Sequence, residues 1–112
     1  MHIDDLMGTF QIKGQNQDKE GSKYSGMLKL SLNHNNRIVA LWNIAQDQVQ
    51  EGVGFYKDDI LVINFRYQGV DAATYNGVVV YKCLTIDVLE GFWSEEYGDP
   101  KYLGVENCVR AN

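Results

Sequence analysis

The sequence predicts an all-β protein, an eight-stranded antiparallel up-and-down barrel formed by a single domain over residues 1–112. Three observations predict it. Apolar and polar residues alternate along most of the chain, which puts residues i and i+2 on one face of a strand. Turn-forming residues interrupt the alternation at short intervals, so successive strands join as hairpins and the whole reads as a meander. A glycine also recurs in nearly every segment, as in Gly8-Thr9-Phe10, Gly26-Met27-Leu28, Gly77-Val78-Val79, Gly91-Phe92-Trp93 and Gly104-Val105-Glu106. Strand glycines mark bends and close backbone approaches, the features a sheet needs to coil and close on itself.

The strands are expected at 6–14, 23–32, 37–46, 48–56, 59–67, 74–84, 87–95 and 102–110. The first turns Leu6, Gly8, Phe10 and Ile12 inward, and the second Tyr24, Gly26, Leu28, Leu30 and Leu32, against outward Lys23, Ser25, Lys29 and Ser31. The third sends Ile38, Ala40, Trp42 and Ile44 inward, the fifth Leu61, Ile63, Phe65 and Tyr67. In the sixth the inward set is Tyr75, Gly77, Val79, Tyr81 and Cys83, in the seventh Leu89, Gly91 and Trp93. The last gives Tyr102, Gly104, Glu106 and Cys108. The fourth strand is ambiguous: the glycine register puts Gly52, Gly54 and Tyr56 inside, and a bulge would reverse it. Between the strands lie polar or turn-forming runs, among them Gln15 to Ser22, Asn33 to Asn36, Gln46-Asp47, Lys57 to Asp59, Gln68 to Ala73 and Glu96 to Lys101. No segment carries a helical period.

At 112 residues, 45% of them apolar, the chain is long enough to bury a core without staples. Its net charge of −5 and scattered Lys and Arg exclude a nucleic-acid phosphate backbone as partner. No stretch reaches the length of a membrane span, and Met1-His2-Ile3-Asp4-Asp5 lacks the basic start of a leader, so a cytoplasmic location is expected and a membrane partner is not. Cys83 and Cys108 have no metal-ligand spacing and are expected to be buried free thiols. His2 and His34 sit in a terminus and a turn, away from any strand that would offer an axial haem ligand. No cofactor is expected.

Two places are left for function. One is the interior. A barrel of eight strands either fills itself with side chains or holds one small ligand, and Tyr24, Trp42, Tyr67, Tyr75, Tyr81, Trp93 and Glu106 are the candidate ligand-binding residues. Buried phenols and indoles need hydrogen-bond partners. An inward Glu106 must be paired, hydrogen-bonded or protonated, either within a network of tyrosines or Arg66, or as the anchor for a cationic or hydrogen-bonding ligand group. Asp58-Asp59 and Glu95-Glu96 read as solvated hairpin charges. The other place is the outside, where Val39, Leu41, Val53, Phe55, Ile60, Val62, Val78, Val80, Val88 and Phe92 come from consecutive strands. Such a wall exceeds what a monomer ordinarily leaves wet, and predicts a homo-oligomer.

In architecture the chain resembles the calycin group of small barrels, the lipocalins and avidins. Gly8-Thr9-Phe10 is similar to the Gly-x-Trp opening of lipocalins, with Phe10 where they carry Trp, and Gly91-Phe92-Trp93 is a second point of likeness. No avidin-type biotin set can be matched residue by residue. It also resembles short bacterial barrel domains. The resemblance implies the fold, and binding within the barrel as a family habit.

These residues point to a non-enzymatic barrel holding a small, partly apolar ligand and self-associating through its wall. The alternative is a protein-interaction module with a filled core, meeting a different protein through the wall of strands three to six. A third is a small isomerase or hydrolase in which Glu106 and a tyrosine serve as acid and base.

Overall fold

The computed structural model describes residues 1–45 and 48–111. A short 3-10 helix, Ile3–Leu6, precedes eight strands: β1 Gly8–Gln15, β2 Lys23–Leu32, β3 Ile38–Ile44, β4 Gln48–Lys57, β5 Ile60–Gln68, β6 Thr74–Thr85, β7 Val88–Glu95 and β8 Gly104–Arg110. Each pairs antiparallel with its neighbour in sequence, and β1 closes the barrel on β8 from Phe10↔Arg110 to Gln15↔Val105. The turn expected at Gln46-Asp47 lies outside the described residues. The 3-10 helix is the one regular element among those described that alternation did not announce. Leu6, expected in the first strand, belongs to this helix and is fully buried.

The inward faces are those the period of two predicts. Phe10, Ile12, Leu28, Leu30, Ile38, Ala40, Leu61, Ile63, Val79, Tyr81, Leu89 and Cys108 form the core. In β4 the glycine register holds: Gly54 is buried while Val53 and Phe55 face out. Four of the recurrent glycines have a common reason. Gly14 lies directly across from Tyr24, Gly77 from Phe65, Gly91 from Tyr81 and Gly104 from Trp93. In each pair the aromatic ring covers the glycine so closely that a Cβ would collide with it. The ring thus lies against the barrel wall instead of crossing the lumen, a packing known to stabilise strand glycines. At Gly26, Gly52 and Gly54 the obstacle is a neighbouring strand's backbone, at Asn43, Asn64 and Val62, where the strands coil sharply.

The two ends differ. Short turns close one end: residues 33–37, 58–59 and 86–87 connect the strands there, and the 3-10 helix covers it. Arg110 locks this cap. Its guanidinium lies 4.7 Å over the Phe10 ring and donates to the carbonyls of Asp5 (2.7 Å), Met7 (2.9 Å) and Ile86 (2.6 Å), while its Nε pairs with Asp87 at 2.8 Å. Such contacts combine cation–π attraction with charge-assisted hydrogen bonds. At the other end lie the loops 16–22, 69–73 and 96–103, of which the first and last are longer than any connection at the capped end. One of them is strapped by Gln17, whose amide donates to Ser94 Oγ (2.9 Å) and to the Tyr102 and Asp99 carbonyls, and accepts from the Glu95 N–H (2.9 Å).

No described helix is long and apolar enough to cross a membrane. A membrane-spanning barrel wears an apolar band outside and a polar lumen. Here the capped half of the lumen is packed with apolar side chains, and β1 and β2 turn Gln11, Lys13, Ser25 and Lys29 outward. Cys83 and Cys108 are buried free thiols.

Candidate functional site: an aromatic cavity over a buried glutamate

The core is filled at the capped end and hollow at the other. There a cavity of about 240 Å³ opens among the loops of that end. Tyr24 from β2, Trp42 from β3, Phe65 and Tyr67 from β5, and Trp93 and Glu95 from β7 wall it, with Glu106 from β8 at its inner side. Asn16, Gln48 and Gln50 add amides. The rings meet edge to face: Trp42 on Phe65 (6.1 Å between centroids, 70°), Phe65 on Trp93 (6.0 Å, 87°) and Tyr24 on Trp93 (6.4 Å, 62°). They form the sides of a box rather than a stack.

Glu106 is the one buried charged residue among those described, 3% exposed. Its Oε1 accepts from the Tyr24 hydroxyl at 2.7 Å, and its Oε2 from Trp42 Nε1 at 3.0 Å and from the Tyr81 hydroxyl. Trp42 Nε1 also reaches Tyr81 Oη at 3.2 Å, and Trp93 Nε1 donates to Tyr24 Oη at 2.9 Å. One indole and two phenols therefore converge on one carboxylate, and the second indole, Trp93, joins them through Tyr24. Among the described residues no cation joins them. Arg66, weighed from the sequence as a partner, sits outside the barrel in an ion pair with Glu51 at 2.9 Å.

Electrostatics follow from that geometry. Burial raises the Glu106 pKa above the ordinary carboxylate range, and the hydrogen bonds from Tyr81, Tyr24 and Trp42 act against the rise. Burial, then the Glu106 charge, pushes the Tyr24 and Tyr81 hydroxyls well above the usual phenol range, so both remain donors. The Cys108 thiol is likewise raised, by burial first and then by Glu106. Cys83 is pushed up to about 11 by burial, with a further contribution from Asp59. Neither thiol has the electropositive surroundings of a reactive cysteine. Among the described residues no three His, Cys, Asp or Glu side chains gather where a metal could be held.

Of the seven residues singled out from the sequence, Tyr24, Trp42, Tyr67, Trp93 and Glu106 line the cavity. Tyr81 lies behind Glu106, fully buried. Tyr75 does not line it: its ring stacks on Tyr67 at 5.4 Å and its hydroxyl is held by Asp71 at 3.1 Å. The inward face of β6 reaches the rim there, and the rim draws the phenol to the 69–73 loop. Glu95 corrects a second expectation. Read as a solvated hairpin charge, it is half-buried in the cavity wall and accepts from the Tyr67 hydroxyl. The signal was present, since Gly91, Trp93 and Glu95 share one strand face. Gln17 had no such signal, because its partners, on β7 and in the 96–103 loop, are brought near only by closure.

No protein-family model and no curated protein matches the chain. Solved structures do. The chain is similar to a redesigned β-barrel, b11L5F_LGL, at 14% identity and TM-score 0.72, over 97% of this chain and 94% of that one. A redesigned barrel bound to DFHBI, mFAP1, aligns at 17% identity and TM-score 0.66 over 96% of both chains. A third is a de novo designed fluorescence-activating β-barrel, at 16% identity and TM-score 0.57, over 94% of this chain and 93% of that one. At such identities the likeness concerns the fold.

Proposed function

We propose that this protein is a non-enzymatic binder of a small, partly apolar molecule, held in the open end of the barrel. The observation that carries the reading is the cavity of about 240 Å³, walled by aromatic rings and ending on a carboxylate that accepts three hydrogen bonds. A dry cavity of about 150 Å³ already accepts benzene, so this one suits a guest of roughly ten non-hydrogen atoms. A barrel of the same architecture bound to DFHBI supports the reading by analogy of shape. Native mass spectrometry of the protein as purified tests it. A bound mass lost on denaturation is expected, and is expected to disappear in Trp93→Ala. A protein isolated free of small molecules, whose cavity holds only ordered water in a crystal, would overturn the proposal.

A second reading concerns the outer wall. Phe55, Val62, Val80, Phe92 and Val105 lie directly opposite one another from β4 to β8, an unbroken apolar row. Phe55 is 55% and Phe92 50% exposed. Along the margins run Lys82 opposite Glu90 and Glu51 opposite Arg66. Charges of both signs suit a second copy of the chain better than a partner of one sign. The row supports homo-oligomerisation as the finer proposal. The double substitution Phe55→Lys with Phe92→Lys is expected to leave a monomer by light scattering, with the cavity untouched. A wild-type monomer at high concentration would refute it. The buried thiols fit a cytoplasmic setting, in which unpaired cysteines persist.

A further inference from the structure

The cavity offers acceptors and no donors at its inner end. Trp93 Nε1 is committed to Tyr24 Oη, Trp42 Nε1 is shared between Glu106 and Tyr81, and the Tyr24, Tyr81 and Tyr67 hydroxyls all point at carboxylates. Glu106 Oε1 accepts from Tyr24 alone. A carboxylate has about four acceptor sites, so one on Glu106 is left for a guest. Two glutamates, Glu95 and Glu106, line the space, and among the described residues no Lys, Arg or His does. Around them stand ring faces and edges at steep angles to one another, the arrangement that attracts a cation through the ring quadrupoles while shedding water from its apolar body.

We infer that the ligand is a small organic ammonium ion, its N–H directed at Glu106 and its apolar body enclosed by Trp42, Phe65 and Trp93. The inference rests on the binding function proposed above and names its ligand class. A neutral or anionic guest leaves Glu106 either protonated or as an unpaired charge in a site of low polarity, whereas an ammonium ion supplies the counter-charge the fold omits. Affinity for such a cation rises with pH as Glu106 ionises. The groups facing Glu106 are Tyr24 on β2, Trp42 on β3, Tyr81 on β6 and Cys108 on its own strand, all held in their neutral forms, with Glu95 across the cavity.

The chain has two tryptophans, both on the cavity wall, so intrinsic fluorescence reports occupancy directly. Three probes of one shape separate the possibilities: 2-phenylethylammonium, 2-phenylethanol and phenylacetate. The ammonium ion is expected to bind at least tenfold more tightly than the alcohol, and phenylacetate not at all. Glu106→Gln is expected to remove that preference by about tenfold or more, the worth of a hydrogen bond to a charged group, while affinity for the alcohol changes less than about twofold. Glu95→Gln, at a half-exposed position, gives a smaller loss in the same direction and serves if the Glu106 variant fails to fold. Equal affinity for ammonium ion and alcohol, or preference for phenylacetate, overturns the cation assignment and leaves the binding function standing. Failure of all three probes also overturns it. Native mass spectrometry then decides the binding function separately, by whether a non-cationic molecule is retained.

Discussion

The two ends of this barrel are made from the same residue types and put them to opposite uses. At the capped end Phe10, Leu6 and Leu89 are fully buried and Arg110 satisfies three carbonyls, from the N-terminal segment and the β6–β7 turn, at once. At the open end Trp93, Tyr24 and Tyr67 stay partly exposed; Trp93 donates to Tyr24 and Tyr24 to Glu106, while Tyr67 donates to Glu95. A cation sits on an aromatic face at the cap, where Arg110 covers Phe10. At the open end the aromatic faces have no cation from the described residues. The cap is thus a finished structure, whereas the opposite end keeps an open cavity, the feature on which the proposed binding rests.

This contrast makes unequal demands on substitution. Phe10→Ala empties a buried site and removes the platform under Arg110. It is expected to cost about 3–5 kcal/mol, read as a lower denaturation midpoint at unchanged m-value. Trp93→Ala deletes a larger ring but one that borders open space, and its expected cost is about 1–2 kcal/mol. Equal losses at both ends would abolish the distinction between cap and cavity.

The next effect is one of pH. Because the folded pKa of Glu106 lies above that of an ordinary glutamate, near about 4.3 in the unfolded chain, the stability it contributes is complete below that value. It is lost as pH rises through the elevated folded value, where ionisation of a buried acid must be tolerated. At pH 4, Glu106→Gln is expected to be less stable than wild type by about 1 kcal/mol. The gap is expected to close or invert by pH 8. A gap independent of pH, measured by urea unfolding across that range, would show that Glu106 does not titrate in this window.

The smallest effect belongs to the cap's hairpin. Asp58 and Asp59 both adopt left-handed backbone angles, with φ of 49° and 67°, in the two-residue connection between β4 and β5. This is the geometry that favours glycine at the second position. Asp59→Gly removes a hydrogen bond from Tyr56 but relieves the backbone. The net expectation is a gain of about 0.5 kcal/mol with ligand affinity unchanged, since the turn is at the far end from the cavity.

Alternation and turn chemistry made most of this architecture legible in the residues themselves. Strand bounds fell within a few residues, the inward faces followed from a period of two, and of the two registers left open for β4 the structure adopts the one its glycines mark. All three are local properties. An inward Glu106 was also readable, because a strand's parity settles its side chain's direction whatever lies opposite. Only closure decided the rest. It set Glu106 against Tyr24, Tyr81 and Trp42, residues 25 to 82 positions away in the chain. Hairpin register, nearer in sequence but equally invisible to a period of two, laid four rings over four glycines and held Tyr75 at the rim against Tyr67 and Asp71. Which side chains meet across a lumen depends on stagger between strands that are distant in sequence, and no local period encodes that stagger.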